Sequence, residues 1–330
     1  MKTSSVARPI DTYHGRQLFR RHLLRWYDCH KRDLSWRLNR DPYRVWLSEI
    51  MLQQTRVTAV LEHYERFLKR FPTVKTLSAA RLSSVLAVWS GLGYYRRARM
   101  MHLAAKTVVN EFNGKFPETA EQLRKLPGIG RYTAAAVASI AFNEPVAVVD
   151  GNVRRVLQRM LGRNLIEAES WAIADSILSG RRPGDFNQAI MELGATVCLP
   201  RAPKCLTCPL LGLCKTRGEG ANELKPSLQQ KRQIGYTLDQ RDGGVFLVQR
   251  APDIQLMPGM WELPEISGSN VEPDACMRIR HSITVTDYTV FVAQGPPPAG
   301  IEGRWVLPSR IPKLPLTGLT RKILREAKII

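Results

Sequence analysis

Residues 126–130 read Leu126-Pro127-Gly128-Ile129-Gly130 and separate two amphipathic segments, Glu118 to Lys125 and Arg131 to Phe142. Gly128 and Gly130 let the backbone turn tightly and approach a ligand, and the amides there begin a helix, whose dipole favours an anion. The pattern predicts a helix-hairpin-helix over 118–142 that binds a phosphate. Taken alone, such residues more often form a plain glycine-rich turn between helices, so the phosphate needs support from elsewhere in the chain.

The charge of the chain gives that support. Lys and Arg number 49 against 29 Asp and Glu, a formal net charge of +20. A nucleic acid is the simplest partner for this charge, because each phosphate that a cation neutralises releases a counterion. An anionic membrane surface could use the same charge, but no apolar run has the length of a spanning helix and residues 1–30 lack a signal-peptide core. We therefore expect a cytoplasmic protein, in a bacterial cytosol or nucleoid, that binds nucleic acid and no membrane.

Residue patterning divides the 330 residues into two regions. Apolar residues recur at helical spacing from about Leu18 to Val156, which predicts an all-α domain over 1–217. Residues 218–232 are polar without a period, as in a linker, and 233–330 combine short β-branched segments with a closing helix, which predicts an α+β domain. These segments are Gly244 to Gln249, Ser282 to Val285, Tyr288 to Ala293 and Lys322 to Ile330.

Four cysteines lie close together at the end of the first region. Six, two and five residues separate them, and they are Cys198, Cys205, Cys208 and Cys214. Thiolates at this spacing can converge on one soft centre, either a [4Fe–4S] cluster or a structural zinc ion. Zinc sites favour two Cys-x-x-Cys pairs and this loop, 198–214, has one, so we expect the iron–sulfur cluster. The remaining two cysteines stand alone, which fits a reducing compartment.

Two carboxylates are candidates for acid–base chemistry. Asp150 follows a short apolar run and precedes a helical segment, so it is either an N-cap or a charge that faces a cleft beside the hairpin, and both roles are compatible. Glu49 lies in an apolar helix that Asp41-Pro42 begins. Its carboxylate either points to solvent or is desolvated, with a raised pKa that suits a general acid.

These residues together carry a family resemblance. The hairpin, Asp150 and the cysteine loop resemble the endonuclease III superfamily of DNA glycosylases, and within it the MutY-type adenine DNA glycosylases. The residues of the narrower match are Trp46 to Thr55 (WLSEIMLQQT), Trp89 to Tyr95 (WSGLGYY), Arg131-Tyr132-Thr133 and Asp150-Gly151-Asn152-Val153. The resemblance is dense from Leu34 to Lys215 and weaker beyond.

The resemblance implies hydrolytic removal of adenine opposite 8-oxoguanine or guanine in double-stranded DNA. Glu49 would protonate N7 of adenine to make a neutral leaving group, and Asp150 would stabilise the cationic sugar. Asn152 would hydrogen-bond within the site, and Tyr132 would pack near the sugar. Bifunctional relatives have a lysine where this chain has Tyr132, so the resemblance implies a monofunctional enzyme. The alternatives are an endonuclease III-like glycosylase with lyase activity and a catalytically silent iron–sulfur DNA-binding protein.

The resemblance also assigns contacts with DNA. Gln53 and Tyr94 would wedge into the base stack around the lesion, although a helix cap and a core aromatic are the structural alternatives. Arg201 and Lys204 would touch phosphates from the cysteine loop, as Gly128 and Gly130 would from the hairpin. We expect a monomer.

The second region resembles the Nudix-like domain that reads the oxidised guanine in this family. Leu256 to Pro264 (LMPGMWELP) matches its opening, and the acidic metal-binding helix of true Nudix hydrolases is not visible between Glu265 and Arg280. The family's Phe-Ser-His motif is replaced by Ile283-Thr284-Val285, which leaves the Thr284 hydroxyl as the expected contact with the guanine.

Overall fold

The computed structural model describes residues 10, 12–219, 230–254, 256–266, 275–283 and 286–330. Contacts between Cα atoms divide the chain into two compact units. Unit 1 comprises Met1–Gln54 and Thr107–Lys225, and unit 2 comprises Thr55–Lys106 and Pro226–Ile330. These units differ from the linear division at 217 and 233, because helical spacing indicates that residues 55–106 form helices but not which elements they pack against. The linear division of the chain stays a prediction.

Unit 1 is helical, and no strand occurs in its described residues. The all-α prediction for this part of the chain is confirmed. Its helices are α1 (Tyr13–His30), α2 (Pro42–Leu52), α7 (Ala120–Leu123), α8 (Arg131–Ala141), α9 (Gly151–Leu161), α10 (Glu167–Ile177) and α11 (Pro183–Thr196). The long helix α6 (Tyr95–Glu111) begins in unit 2 and ends in unit 1.

Helix α2 begins where the sequence predicts. The Arg44 amide donates a hydrogen bond to the Asp41 side chain at 2.8 Å, and Pro42 occupies the first helical position. All residues from Val45 to Met51 are buried, so this helix lies in the core of unit 1 and packs against α8. Helix α8 is rich in alanine, which lets the two backbones approach closely. This packing brings side chains of α2 and α8 together.

Helix α11 packs against α1, α8 and α9 through very close backbone contacts. A Cβ atom at Gly194 would lie 2.7 Å from Asn152 Cβ and 3.2 Å from the Asn152 backbone. Only glycine therefore fits where α11 passes the start of α9. This contact sets the position of the segment that follows Asp150.

Unit 2 contains helices and two sheets. Its helices are α3 (Val57–Arg70), α4 (Val74–Ser78), α5 (Leu82–Trp89), the first part of α6, and α12 (Gly318–Glu326). One sheet has the order β5-β1-β7-β6, with β1 parallel to β7, and in the other β3 pairs with β2, β4 and β8. The strands are β1 (Gln230–Leu238), β2 (Gln240–Arg241), β3 (Gly244–Gln249), β4 (Trp261–Glu262), β5 (Glu265–Ile266), β6 (Ala275–Ile283), β7 (Thr286–Gln294) and β8 (Arg304–Val306).

Both sheets contribute to one apolar core with α12. The α+β prediction for the C-terminal part is confirmed, and the predicted strand Gly244 to Gln249 is β3. Strand β1 begins at Gln230, inside the predicted linker. The sequence did not indicate this start, because the first four residues of the strand are exposed and polar and show no apolar alternation. Residues 220–229 of that linker lie outside the described residues, as does most of the segment where no acidic helix is expected.

The hairpin has a shorter first helix than the sequence predicts. Helix α7 covers four residues, and turns lead from it to α8 at Arg131. None of the helices that the structure describes is both long and apolar enough to cross a bilayer.

Candidate active site

Glu49 is a buried carboxylic acid on α2. It is 7% exposed, and the Tyr132 hydroxyl donates a hydrogen bond to its Oε2 atom at 2.8 Å. Burial raises the pKa of Glu49 to about 7, the hydrogen bond from Tyr132 lowers it, and the charge of Asp150 raises it. The desolvated alternative is therefore the one observed. At neutral pH this carboxyl is poised between its acid and base forms, as a group that exchanges a proton during a reaction requires.

Tyr132 is the second residue of α8 and connects two other helices. Its hydroxyl oxygen lies 3.1 Å from the sulfur of Met191 on α11, in addition to its hydrogen bond with Glu49 on α2. Burial raises the pKa of Tyr132 well above its ordinary value, with the charges of Glu49 and Asp150 acting in the same direction. The phenol therefore stays protonated and acts as a hydrogen-bond donor.

Asp150 is the N-cap of α9, and its second oxygen is held by Asn152. The Val153 amide donates to Oδ1 at 2.7 Å, and Asn152 Nδ2 donates to Oδ2 at 3.0 Å. The carboxylate is half-buried, and its charge raises the pKa values of both Glu49 and Tyr132. Asp150 is thus the N-cap of α9, and its charge also acts on the acid; that it faces a cleft beside the hairpin stays a prediction.

Arg155 connects the Asp150 segment with α11 and the cysteine loop. Its guanidinium donates to Asn152 Oδ1 at 2.8 Å, to the Gly194 carbonyl at 2.8 Å and to the Cys198 carbonyl at 2.9 Å. Burial lowers the pKa of Arg155. The bonds to Gly194 and Cys198 fix the Arg155 guanidinium, and its bond to Asn152 holds the amide that donates to the Asp150 carboxylate.

A buried ion-pair network near Glu49 was missed by the sequence analysis. Glu192 on α11 is 1% exposed and accepts hydrogen bonds from Arg32 at 2.6 and 2.8 Å and from Arg37 at 2.8 Å. Burial would raise the pKa of Glu192, but the bonds from both arginines hold it at about 2. The charge of Arg37 also lowers the pKa of Glu49. A glutamate in an apolar helix, as for Glu49, is the signal that could have indicated Glu192.

The hairpin places its two glycines in different backbone conformations. Gly128 has φ of 74°, in the left-handed region that favours glycine, whereas Gly130 is the N-cap of α8 with an extended backbone. The expectation of a tight turn at both positions is therefore met only at Gly128. A Cβ at Gly130 would meet nothing within 4 Å, so this exposed position leaves space beside the first amides of α8.

Adjacent glutamines at the end of α2 have different environments. Gln53, which the resemblance assigns to the wedge, is half-buried, and its Nε2 atom donates to Thr133 Oγ1 at 3.1 Å. Gln54 is exposed and has φ of 54°, a rare backbone conformation for a residue with a side chain. The structure therefore adds Gln54 as a candidate, which the sequence analysis missed because its conformation has no local signature.

Tyr94, in unit 2, is also exposed and also has a positive φ. Its side chain is 45% exposed and its φ is 47°. Tyr94 is therefore not a core aromatic residue, which was the structural alternative for it.

All four cysteines of the loop line one cavity in unit 1. Four sulfur donors around one cavity fit a soft metal centre, which would bind them as thiolates. Gly218 has φ of 91° and a Cβ there would lie 2.9 Å from Cys205 Sγ, so the backbone closes tightly around the cavity. In the described part of the chain, no three His, Cys, Asp or Glu side chains meet at a position for a single ion.

The remaining predicted contact residues are Arg201, Lys204 and Thr284. Arg201 and Lys204 are exposed on the cysteine loop. Thr284 lies outside the described residues, so its contacts stay a prediction.

The known proteins that this chain resembles are DNA repair glycosylases. A family model described as "HhH-GPD superfamily base excision DNA repair protein" matches residues 47–170. The chain is 49% identical to an adenine DNA glycosylase of Homo sapiens, over 60% of this chain and 39% of that protein. It is 47% identical to that of Rattus norvegicus, over 63% of this chain and 44% of that protein. It is 38% identical to that of Arabidopsis thaliana, over 82% of this chain and 50% of that protein. The chain thus spans half or less of the length of these relatives.

Two solved structures share the helical fold. A thermostable thymine-DNA glycosylase is 31% identical with a TM-score of 0.59, over 62% of this chain and 97% of that chain. Endonuclease III in a non-covalent complex with DNA is 25% identical with a TM-score of 0.53, over 61% of this chain and 96% of that chain.

Proposed function

We propose, since the chain belongs to the adenine DNA glycosylases of the HhH-GPD superfamily, that it removes adenine from double-stranded DNA by hydrolysing the N-glycosidic bond. The target is adenine opposite 8-oxoguanine or guanine. The buried hydrogen-bonded pair of Glu49 and Tyr132, beside the charge of Asp150, is the observation that carries the proposal.

Glu49 is the general acid in this proposal. Adenine is a poor leaving group as an anion, and a proton placed on N7 lets it depart neutral. A pKa of about 7 keeps a large fraction of Glu49 protonated at neutral pH, which an ordinary surface glutamate would not be. After the C1′–N9 bond breaks, the Glu49 carboxylate accepts a proton from the water that adds to C1′.

Asp150 stabilises the sugar cation that forms when adenine leaves. The carboxylate oxygens are held by the Val153 amide and the Asn152 side chain, so the negative charge is fixed before the reaction begins. Preorganised charge of this kind stabilises a developing cation without reorganisation cost. Tyr132 offers no amine for a Schiff base, which favours a reaction that stops at the abasic site.

Exposed groups on the same chain bind the DNA. The amides at Gly128 and Gly130, with Arg201 and Lys204, bind phosphates without reading sequence. Tyr94 and Gln54, with Gln53 beside it, enter the base stack when adenine is flipped, because exposed side chains on a fixed strained backbone recover part of the unstacking cost.

A [4Fe–4S] cluster held by Cys198, Cys205, Cys208 and Cys214 orders the loop that carries Arg201 and Lys204. The shared cavity supports a common centre, and the single Cys-x-x-Cys pair favours a cluster over zinc. The cluster cross-links the loop and supplies no step of the hydrolysis. Iron and sulfide analysis of the purified protein tests this: Cys208→Ser should lose the cluster and Cys276→Ser should retain it, whereas stoichiometric zinc would reject it.

Residues 233–330 act as the Nudix-like part that reads the base opposite adenine. Their α+β architecture and the resemblance of Leu256 to Pro264 support this assignment. The replacement of Phe-Ser-His by Ile283-Thr284-Val285 bears on how strongly 8-oxoguanine is preferred over guanine.

Single-turnover base release from three duplexes tests the function. The duplexes carry adenine opposite 8-oxoguanine, guanine or thymine, and alkali reveals the abasic sites. We expect release opposite 8-oxoguanine and guanine and none opposite thymine. Equal release from all three, or release of none, would overturn the proposal.

Two substitutions test the assigned roles. Glu49→Gln should abolish release while DNA binding is retained, and Glu121→Gln, which changes an exposed glutamate, should leave release unchanged. Retained release in Glu49→Gln would remove this residue from the mechanism. Borohydride should trap no protein–DNA adduct with the unmodified protein, and Tyr132→Lys should introduce some.

A further inference from the structure

The loop before α6 is held in a strained conformation. Gly91, Gly93 and Tyr94 have φ values of 109°, 70° and 47°. Such a conformation costs free energy for a residue with a side chain, and it persists only where surrounding contacts fix it. The result is an aromatic side chain that is 45% exposed. The contacts that impose this arrangement can be identified.

Arg97 lies between two aromatic rings. Its guanidinium carbon is 5.1 Å from the centroid of the Tyr94 ring and 5.5 Å from that of the Trp89 ring. Cations at this distance are attracted to the ring faces, and a planar guanidinium can also stack on them. Arg97 is thus a direct contact of the exposed tyrosine ring on its protein side.

The same guanidinium binds the backbone of the loop. It donates to the Leu92 carbonyl at 3.3 Å, to the Gly93 carbonyl at 3.4 Å and to Thr55 Oγ1 at 3.1 Å. Trp89 Nε1 also donates to the Gly93 carbonyl, at 3.1 Å. One side chain therefore holds both the ring of Tyr94 and the two peptide carbonyls that precede it.

The other end of the loop is held independently. The His63 ring contacts the Ser90 carbonyl at 3.3 Å, and Ser90 Oγ donates to the Leu316 carbonyl at 2.8 Å. A Cβ at Gly91 would lie 3.0 Å from the His63 ring. Loss of Arg97 would therefore release the Tyr94 end while Ser90 stays anchored.

A lysine could not replace this arginine. All three bonds come from the Nη2 atom of a planar guanidinium that also lies against the Tyr94 and Trp89 rings, whereas an ammonium is a point charge on a flexible chain and has no plane to stack on them. Burial lowers the pKa of Arg97 to about 10, so the group remains charged at neutral pH.

We propose that Arg97 is a positioning residue that fixes Tyr94 for insertion into the DNA base stack. This rests on the proposed function, in which Tyr94 is the inserted side chain. With Arg97 in place, the ring and its backbone are ordered before DNA arrives, so binding does not have to order them. Without Arg97, the Tyr94 side chain is still present, but its ring is no longer held in one orientation.

A double-mutant cycle tests this inference. We expect Tyr94→Ala and Arg97→Leu each to slow single-turnover adenine release about tenfold, which corresponds to about 1.4 kcal/mol. Because Arg97 acts through Tyr94, the double variant should be no slower than Tyr94→Ala alone. If the double variant were slower by the product of the two single effects, about a hundredfold, the inference would be overturned. Arg96→Leu is the matched control, since it removes the same charge from an exposed neighbouring position and should change the rate less than twofold.

A fluorescence readout separates positioning from a purely structural role. In a Glu49→Gln background, 2-aminopurine beside the target adenine reports unstacking before any bond breaks. Arg97→Lys, which retains the charge and removes the planar group beside the Tyr94 ring, should reduce this signal while the melting temperature stays near that of Glu49→Gln alone. A full signal in Arg97→Lys rejects the inference. If the unmodified protein releases no adenine, the proposed function fails on its own.

Discussion

Burial sets the acidity of Glu49, and the sign of its effect on the reaction follows directly. Burial raises the pKa to about 7, so the acid form predominates below pH 7 and is lost above it. We expect the single-turnover rate of adenine release to be high below pH 7 and to fall tenfold per pH unit well above it. A rate that is flat from pH 6 to 9 would contradict this assignment.

Tyr132 opposes the effect of burial on the protonation of Glu49. Its hydrogen bond lowers the pKa of Glu49, so Tyr132→Phe should raise that pKa. The descending limb of the pH–rate profile should then move to higher pH. Tyr27→Phe changes another buried phenol and should leave the limb in place. A limb that moves to lower pH in Tyr132→Phe would show that the hydroxyl does not stabilise the carboxylate.

At the scale of helices, the approach of α11 to α9 determines where Asp150 and Asn152 lie. A methyl group at position 194 has no room beside Asn152. Gly194→Ala should therefore lower the free energy of unfolding by about 1 to 3 kcal/mol, the usual cost of overpacking, and slow adenine release. Calorimetry and single-turnover kinetics measure the two effects.

Gly180→Ala is the control for that substitution. A Cβ at this exposed glycine meets nothing within 4 Å, so stability and rate should both stay near their original values. Unchanged stability in Gly194→Ala would mean that the two helices can separate without cost.

Local patterns predicted the helical elements well. Asp41 and Pro42 specify the start of α2, and Asp150 caps α9, because capping depends on residues only three apart in sequence. Strand β1 was missed in part because its first residues are all exposed and polar. Its pairing with β7, more than fifty residues later, stabilises it instead.

The grouping of the candidate site residues was predictable where a motif surrounds them. Glu49, Tyr132, Asp150 and Asn152 lie in recognisable motifs, and the structure brings them together in unit 1. The partners of Glu192 are 155 and 160 residues away, so no local pattern could have indicated them.

The whole molecule should be sensitive to acid through Glu192. Its folded-state pKa of about 2 is below the ordinary value of 4.5, so its stabilising contribution is present above pH 4.5 and is lost as the pH falls towards 2. The difference corresponds to about 3 kcal/mol. Glu192→Gln should flatten this part of the stability profile in denaturant titrations, while Glu62→Gln, at an exposed ion pair, should not. The same steepness in Glu192→Gln would assign acid sensitivity to other groups.

The net charge of +20 makes DNA affinity dependent on salt. In a plot of the logarithm of affinity against that of salt concentration, Arg201→Ala and Lys204→Ala should each reduce the slope by about 1, since each side chain is proposed to contact one phosphate. Fluorescence anisotropy over a salt series measures this. An unchanged slope would place the cysteine loop away from the backbone of the DNA.

The positive φ angles of Gln54 and Tyr94 also affect how the chain can evolve. Glycine would relieve the strain at both positions, so selection for heat resistance alone would favour glycine there. Variants selected in that way would be more thermostable and poorer at repair. Under the proposed function, these two residues are places where the protein gives up stability to retain its activity.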